Sequence, residues 1–390
     1  MSWKMKSKND WGRLVLTSNY ETRPLGELVE FVAKGIPPKY ASEKTDETIT
    51  VLNQKTNRNF KIDYKLARLN DLSKKKVPAE KMLIANDVLI NSTGVGTAGR
   101  IAQLLSVPEP TTVDGHMIIV RADSDKINPV YLGYALKAQQ KIVENLQEGS
   151  TGQTELNRQR LLDEIEIQFP TDMEKQDEIA SLFLSLDNRI AENEKINHHL
   201  EQMARAIFDD MFPNVTSGDH TIGEYITPKR GKGLLSKNAV PGPIPVIAGG
   251  LQPATYHNVS NTKAPVLTIS ASGANSGYIG LWNTPVWSSD SSFIDVDMTK
   301  DVYFWYVMLS KRQQEIYDMQ TGSAQPHIYP KHISIMPTIE LSQSQIDEYS
   351  RVVTPLFDEI GANKLENKQL EDTRDTLLPK LMSGEISVTG

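Results

Sequence analysis

The chain has 390 residues, 39% of them apolar and 23% charged, with a net charge of −7 and no cysteine. This length predicts two or three soluble globular domains. The missing cysteine excludes disulfides, thiolate nucleophiles and Cys-based zinc sites. The start, MSWKMKSKNDWGRL, lacks the apolar core of a signal peptide, and no stretch approaches the roughly 18 apolar residues of a membrane span. A cytoplasmic protein is expected.

In chain order, residues 1–19 read as a polar lead-in. A first unit, 20–170, opens on Leu25-Gly26-Glu27-Leu28 and a Lys34-Gly35-Ile36-Pro37-Pro38 turn. Short branched runs at Met82–Ile90 and Met117–Val120 predict strands, and a helix of about 15 residues is expected from Val130. A long amphipathic helix follows over 171–213. The second unit, 214–340, repeats this order. It has Ile222-Gly223-Glu224-Tyr225 and a Lys229-Arg230-Gly231-Lys232 turn. Its predicted strands are Ile244–Ala248, Val266–Ser270 and Phe293–Val296, and its helix starts at Val302. A second long helix occupies 341–386.

The two long helices share a seam. Ile179, Phe183, Leu186, Ile190, Asn193, Asn197, Leu200, Ala204, Ile207 and Met211 step by four and three. Exactly the same offset of 170 would be needed for a true repeat, and it holds: Tyr349, Val353, Leu356, Ile360, Asn363, Asn367, Leu370, Arg374, Leu377 and Leu381. A 4-3 seam is a coiled-coil seam. We expect Ile190, Asn193, Asn197 and Leu200 to pair with Ile360, Asn363, Asn367 and Leu370. Buried Asn costs stability but fixes register, since a mispaired Asn loses its hydrogen bonds.

Charge is unevenly spread. Residues 171–212 hold 10 acids and 4 bases, and 341–390 hold 9 and 5, so the two helical segments carry a net −10. The intervening units are near neutral, with basic clusters at Lys74, Lys75 and Lys76 and at Lys229, Arg230 and Lys232. Near-neutral units would grip nucleic acid weakly alone, because phosphate neutralisation supplies most sequence-independent affinity.

Gly94-Val95-Gly96-Thr97-Ala98-Gly99 fits a dinucleotide-binding GxGxxG, but only Arg100–Leu105 can be helical before Pro108, and the second unit's Ser272–Gly277 breaks the pattern. Both read as glycine turns between strands. There is no phosphate loop, no HExxH and no GxSxG elbow. His198 and His199 point about 100° apart on a helix and cannot share a metal. No metal site and no catalysis are expected of this chain.

The unit–helix–unit–helix order, the Gly-Glu starts, the Gly149-Ser150-Thr151-Gly152-Gln153 and Thr321-Gly322-Ser323-Ala324-Gln325 loops, and Glu174-Lys175-Gln176-Asp177-Glu178 leading a long helix closely resemble the specificity subunit of type I restriction–modification systems. The resemblance spans about Leu25 to Ile386. It implies an α+β fold: two β-rich target recognition domains joined by two long antiparallel coiled-coil helices, a pseudo-two-fold internal repeat. Each domain would read one half of a bipartite site in double-stranded DNA. The helices would set the gap and dock two methyltransferase (modification) subunits, and restriction (motor and nuclease) subunits would join. S-adenosylmethionine, ATP and Mg would sit on the partners, with no cofactor on this chain and no membrane involved.

Base edges are read by Arg, Lys, Asn and Gln. The candidates are Lys34, Lys39, Arg58, Lys74, Lys75, Arg100 and Gln153 in the first domain, and Arg230, Lys232, His257, Asn275, Tyr278 and Gln325 in the second. Tyr278 stands where the first unit has Arg100, so different bases are expected. The alternative is a non-catalytic coiled-coil scaffold that binds no DNA. That reading fits the negative charge but leaves the Lys/Gly/Pro turns unexplained.

Overall fold

The computed structural model describes residues 20–148, 155–322 and 325–388. The expected lead-in over 1–19 lies outside them. The chain divides into two compact units, one holding residues up to Asn188 together with those from Leu370, the other Arg189–Gln369. Each boundary falls inside a long helix, so each unit contains part of both.

In the first unit, Val29–Lys34, Met117–Ala122, Val88–Asn91 and Ile101–Gln103 form an antiparallel sheet in that spatial order. Its central runs, Val88–Ile90 and Met117–Val120, are continuously apolar because both faces are buried. Ile118 and Val120 face a core with Tyr131, Leu132 and Phe183; Met117 and Ile119 face a second core with Leu52, Leu83 and Val113. A second sheet, Thr111–Val113, Thr48–Leu52, Arg68–Asp71 and Tyr40–Ala41, supplies that other layer, with Thr48–Leu52 parallel to Thr111–Val113. Tyr20–Pro24 pairs with Glu166–Pro170, joining the unit's two ends.

The second unit repeats this plan. Lys229–Arg230, Ser291–Asp295, Val266–Ser270 and Ile279–Trp282 form the main sheet. Leu267, Ile269 and Ile294 face one core, and Val266 and Phe293 the other. The second sheet is Thr255–His257, Ile244–Ile247 and Trp287–Ser288, again with one parallel pair. His220–Thr221 pairs with Pro337–Thr338.

Several elements differ from expectation. The strand begins at Val88, not Met82, because Asp87 turns the chain: its carboxylate accepts the Ile84 amide at 2.9 Å and holds Arg121 with two 2.8 Å bonds. The glycine turn does lie between strands as expected, Ile101–Gln103 pairing with Val88–Asn91. The helices expected from Val130 and Val302 each break once, into Pro129–Ala138 and Gln140–Glu144, and into Val302–Lys311 and Gln313–Asp318.

The long helices are Met173–Met211 and Gln343–Met382, 39 and 40 residues, each about 60 Å at 1.5 Å per residue. Asp172 caps the first, accepting the Glu174 amide at 3.0 Å. The helices run antiparallel. In the second unit Asn193 Nδ2 donates to Asn367 Oδ1 at 2.8 Å and to Glu366 Oε2 at 2.6 Å, while Asn363 Nδ2 donates to Asn197 Oδ1 at 2.9 Å. Ile190, Asn193, Ile360 and Asn363 are buried; Asn197, Leu200, Asn367 and Leu370 are half-buried. Arg189 adds a two-bond pair to Glu366 at 3.0 Å. At the helix ends the buried residues are Phe208, Phe212 and Leu378 rather than Ile207, Met211 and Leu377. A straight helix drifts about 20° per heptad off a 3.5-residue repeat, and there it packs on its own unit's core.

This crosswise pairing predicts the outcome of substitution. Asn193→Leu should cost about 1–2 kcal/mol, because Asn367 loses its donor. Asn193→Leu with Asn367→Leu should recover most of that, as the Asn–Asn pair is gone and Glu366 keeps its two bonds from Arg189. Denaturant midpoints of the two variants would check it; a double variant worse than the single contradicts the account. Among the described residues no helix is long and apolar enough to cross a membrane.

Candidate nucleic-acid interface

Four segments converge in each unit, and they are the same four. One is the end of the first sheet strand, carrying Lys34 or Arg230. Another is the glycine hairpin, Thr93–Gly99 or Ser272–Gly277. A third is the aspartate before the next strand, Asp114 or Asp290. The last follows the short helices, with Glu155 or His327.

In the first unit Lys34 is ion-paired with Glu155, and Glu155 forms a β-bridge with Thr93. The Leu156 amide donates to the Ser92 carbonyl at 2.7 Å. Thr93 Oγ1 lies 2.8 Å from His116 Nδ1 and 3.2 Å from Gln54 Oε1. Burial pushes the Asp114 carboxyl up, and its Oδ1 accepts the His116 amide at 2.9 Å. In the second unit Arg230 donates to Asp290 at 2.6 Å, Ser272 Oγ also bonds Asp290, and Ser272 bridges to His327.

The glycines allow the hairpins to bend. Gly99 and Gly277 have φ of +84° and +93°. A Cβ on Gly99 would lie 2.6 Å from the Glu144 Cα, and one on Gly277 2.8 Å from Ile316. Behind each, a glutamine side-chain oxygen holds the strand that follows: Gln140 accepts the Ile101 amide at 3.2 Å and Gln313 the Ile279 amide at 3.0 Å. Gly99→Ala should therefore cost about 3 kcal/mol, from left-handed backbone and overlap with backbone atoms. Gly96 has φ +68° but nothing within 4 Å of a Cβ, so Gly96→Asn should cost under about 1 kcal/mol. Thermal melts of the two variants would separate them, and equal shifts would refute the close-packing argument.

The candidate residues fall into three groups. Lys39, Arg58, Lys232 and Gln325 are exposed, and Asn275 and Tyr278 half-buried on the second hairpin. Lys34, Lys74, Arg100 and Arg230 are engaged. Lys74 pairs with Asp71 at 2.8 Å and, with Ser73, holds that carboxyl down to about 2. Arg100 Nη2 donates to the Gly96 carbonyl at 3.0 Å, closing its own hairpin. Lys75 is half-buried, its carbonyl taken by Asn70. His257 is only 8% exposed, with Nδ1 bonded to Val240 and its ring edge-on to Trp287 at 5.2 Å. It is a packing residue, not a free groove contact. Gln153 lies outside the described residues. Sequence reasoning missed Gln54, Thr93, His116, Glu155, Asp290, His327 and Tyr329. For the last two a signal exists: Gln325-Pro326-His327-Ile328-Tyr329 alternates polar and apolar side chains like a half-buried strand.

A β-rich domain followed by a long helix thus occurs twice, and each domain presents the same loop cluster. Residues 17–202 match the family model of the type I restriction modification DNA specificity domain. A putative type I restriction enzyme MjaX specificity subunit of Methanocaldococcus jannaschii is 25% identical over 194 residues, which cover 49% of this chain and 44% of that relative. That match thus spans less than half of the relative's length. Among solved structures, the type I restriction-modification system S subunit from M. genitalium shares the fold across 95% of this chain and 97% of that one, at 20% identity and a TM-score of 0.59. The HsdS subunit from Thermoanaerobacter tengcongensis aligns over 94% and 97% at 14% identity and a TM-score of 0.37. The resemblance to type I restriction–modification specificity subunits seen in the sequence is thus met by a family model over residues 17–202 and by a shared fold over the length of the chain.

Proposed function

We propose that this chain is the DNA sequence-recognition subunit of a type I restriction–modification complex, each β-rich domain reading one half of a bipartite site. The observation that carries this is the recurrence of one four-segment surface in both units with different side chains: Lys34 for Arg230, Thr93 for Ser272, Glu155 for His327 and Arg100 for Tyr278. One scaffold with two sets of contacts suits two unlike half-sites. The long helices act as the ruler that fixes the unread gap. Their acid-rich outer faces are repelled by DNA and suit protein partners, so two methyltransferase subunits dock there and restriction subunits join them. S-adenosylmethionine, ATP and Mg belong to those partners, and this chain contributes no catalysis. The scaffold alternative is not favoured, since residues 17–202 match a DNA specificity domain.

The test is co-expression with a type I methyltransferase subunit from the same source, then single-molecule sequencing of host DNA for methyl-adenine. A methylated split motif with one fixed gap is expected. A stable complex that leaves no such motif would overturn the proposal.

A further inference from the structure

Residues 325–329 run extended and are held from both sides. The His327 amide donates to the Thr321 carbonyl at 2.8 Å, and the Thr321 amide returns a bond at 3.1 Å. The Ile328 amide donates to Ala271 at 3.0 Å, and the Gly273 amide to Pro326 at 3.1 Å. Extended backbone sends alternate side chains to opposite faces. Ile328 is accordingly buried in the core, while Gln325 is exposed, Tyr329 is 46% exposed and His327 is half-buried. The His327 and Tyr329 rings lie nearly parallel, 13° apart with centroids at 5.9 Å, and His332 closes on Tyr329 edge-on at 5.7 Å. The Tyr329 amide also donates to His332 Nδ1 at 3.3 Å. A large exposed ring is thus set on an anchored backbone, with little conformational freedom left to lose on contact.

We propose that Gln325, His327 and Tyr329 form the base-reading edge of the second unit. This rests on the DNA-recognition function proposed above. A strand rises about 3.3–3.4 Å per residue and a DNA strand about 3.4 Å per nucleotide. Alternate side chains therefore meet positions two base pairs apart, and the three span about five base pairs. The major groove, about 12 Å wide, admits extended backbone, and a single antiparallel bridge between Thr321 and His327 holds it here. The Gln325 carboxamide can pair with adenine, the His327 imidazole offers one donor and one acceptor, and the Tyr329 ring covers a thymine methyl. The equivalent bridge in the first unit presents Glu155, tied to Lys34, so the two half-sites are read by different chemistry.

The experiment uses the full chain with its methyltransferase subunit on a randomised duplex library, scored by methyl-adenine sequencing. Gln325→Ala and Tyr329→Ala should each relax discrimination about tenfold, at positions about four base pairs apart in the same half-site. The other half and the gap should stay as in the wild type. Tyr329→Phe keeps the ring and should keep the motif. Gln325 is exposed, so Gln325→Ala carries the test even if Tyr329→Ala folds poorly. Variants that retain full discrimination in both halves, or that relax opposite halves, overturn this edge while leaving the proposed function standing. A wild-type complex with no split motif overturns the proposed function, and this edge with it.

Discussion

Asp187→Ala is expected to destabilise the first unit by about 3 kcal/mol, the low end for removing one partner of a buried ion pair. Asp187 accepts from Arg374 at 2.6 Å and from the Tyr134 hydroxyl at 2.8 Å, and Lys137 lies 3.7 Å away. The three charged side chains are only 14–16% exposed. Without the carboxylate, two cations share a poorly solvated site with only the exposed Asp375, 2.9 Å from Arg374, to offset them. Asp187→Asn keeps an acceptor for Tyr134 and should lose less. Hydrogen exchange in Pro129–Ala138, which carries Tyr134 and Lys137, would report the change locally. Protection left at the wild-type level would mean the cluster contributes nothing. The cluster also sets a pH dependence. Burial pushes the Lys137 ammonium down to about 8 from 10.5. From about pH 8 to 10 the unfolded chain then holds more protons than the folded one, so stability rises with pH in that window. Lys137→Met should flatten that rise.

Phe304→Ala should cost the second unit about 4 kcal/mol, within the usual range for emptying a buried aromatic site. Phe304 is fully buried. Its ring meets Phe212 at 5.0 Å, Trp305 at 5.1 Å, Phe208 at 5.6 Å and Tyr349 at 6.0 Å. Those neighbours come from both long helices as well as the domain, so no single element can collapse into the space. Tryptophan fluorescence during urea unfolding gives the readout. A loss under about 2 kcal/mol would show that the cluster repacks around the gap.

The parts of this fold written in repeating patterns were legible. The long helices announce themselves through a seam stepping by four and three, and the second copy confirms its own register at Asn363 and Asn367. The glycine hairpins were legible too, because Gly99 and Gly277 sit at matching places before Ile101 and Ile279. The strand Thr48–Leu52 was missed, as its Thr-Ile-Thr-Val-Leu is short and pairs with residues some sixty positions away. The site was read less well. Charge and amide content picked out Lys74 and Arg230 but could not reveal that Asp71 and Asp290 already hold them. His257 looked available because burial depends on which face of Thr255–His257 meets Trp287, and that is decided by the sheet.

The last residues of the chain also complete the core of the first unit. Leu378, Leu381 and Met382 pack with Leu25, Ile179 and Phe183, the Tyr20 hydroxyl donates to the Leu381 carbonyl at 2.9 Å, and the Gln168 side chain donates to Ser383 at 3.1 Å. The second unit is one unbroken stretch, Arg189–Gln369. On a ribosome adding about 5–20 residues per second, the unit begun first must wait roughly ten to forty seconds for its closing segment, while the later one can close as it emerges. The half-made amino-terminal unit is thus the species that needs shielding during synthesis, and a premature stop near Leu378 would leave its damage at the opposite end of the polypeptide.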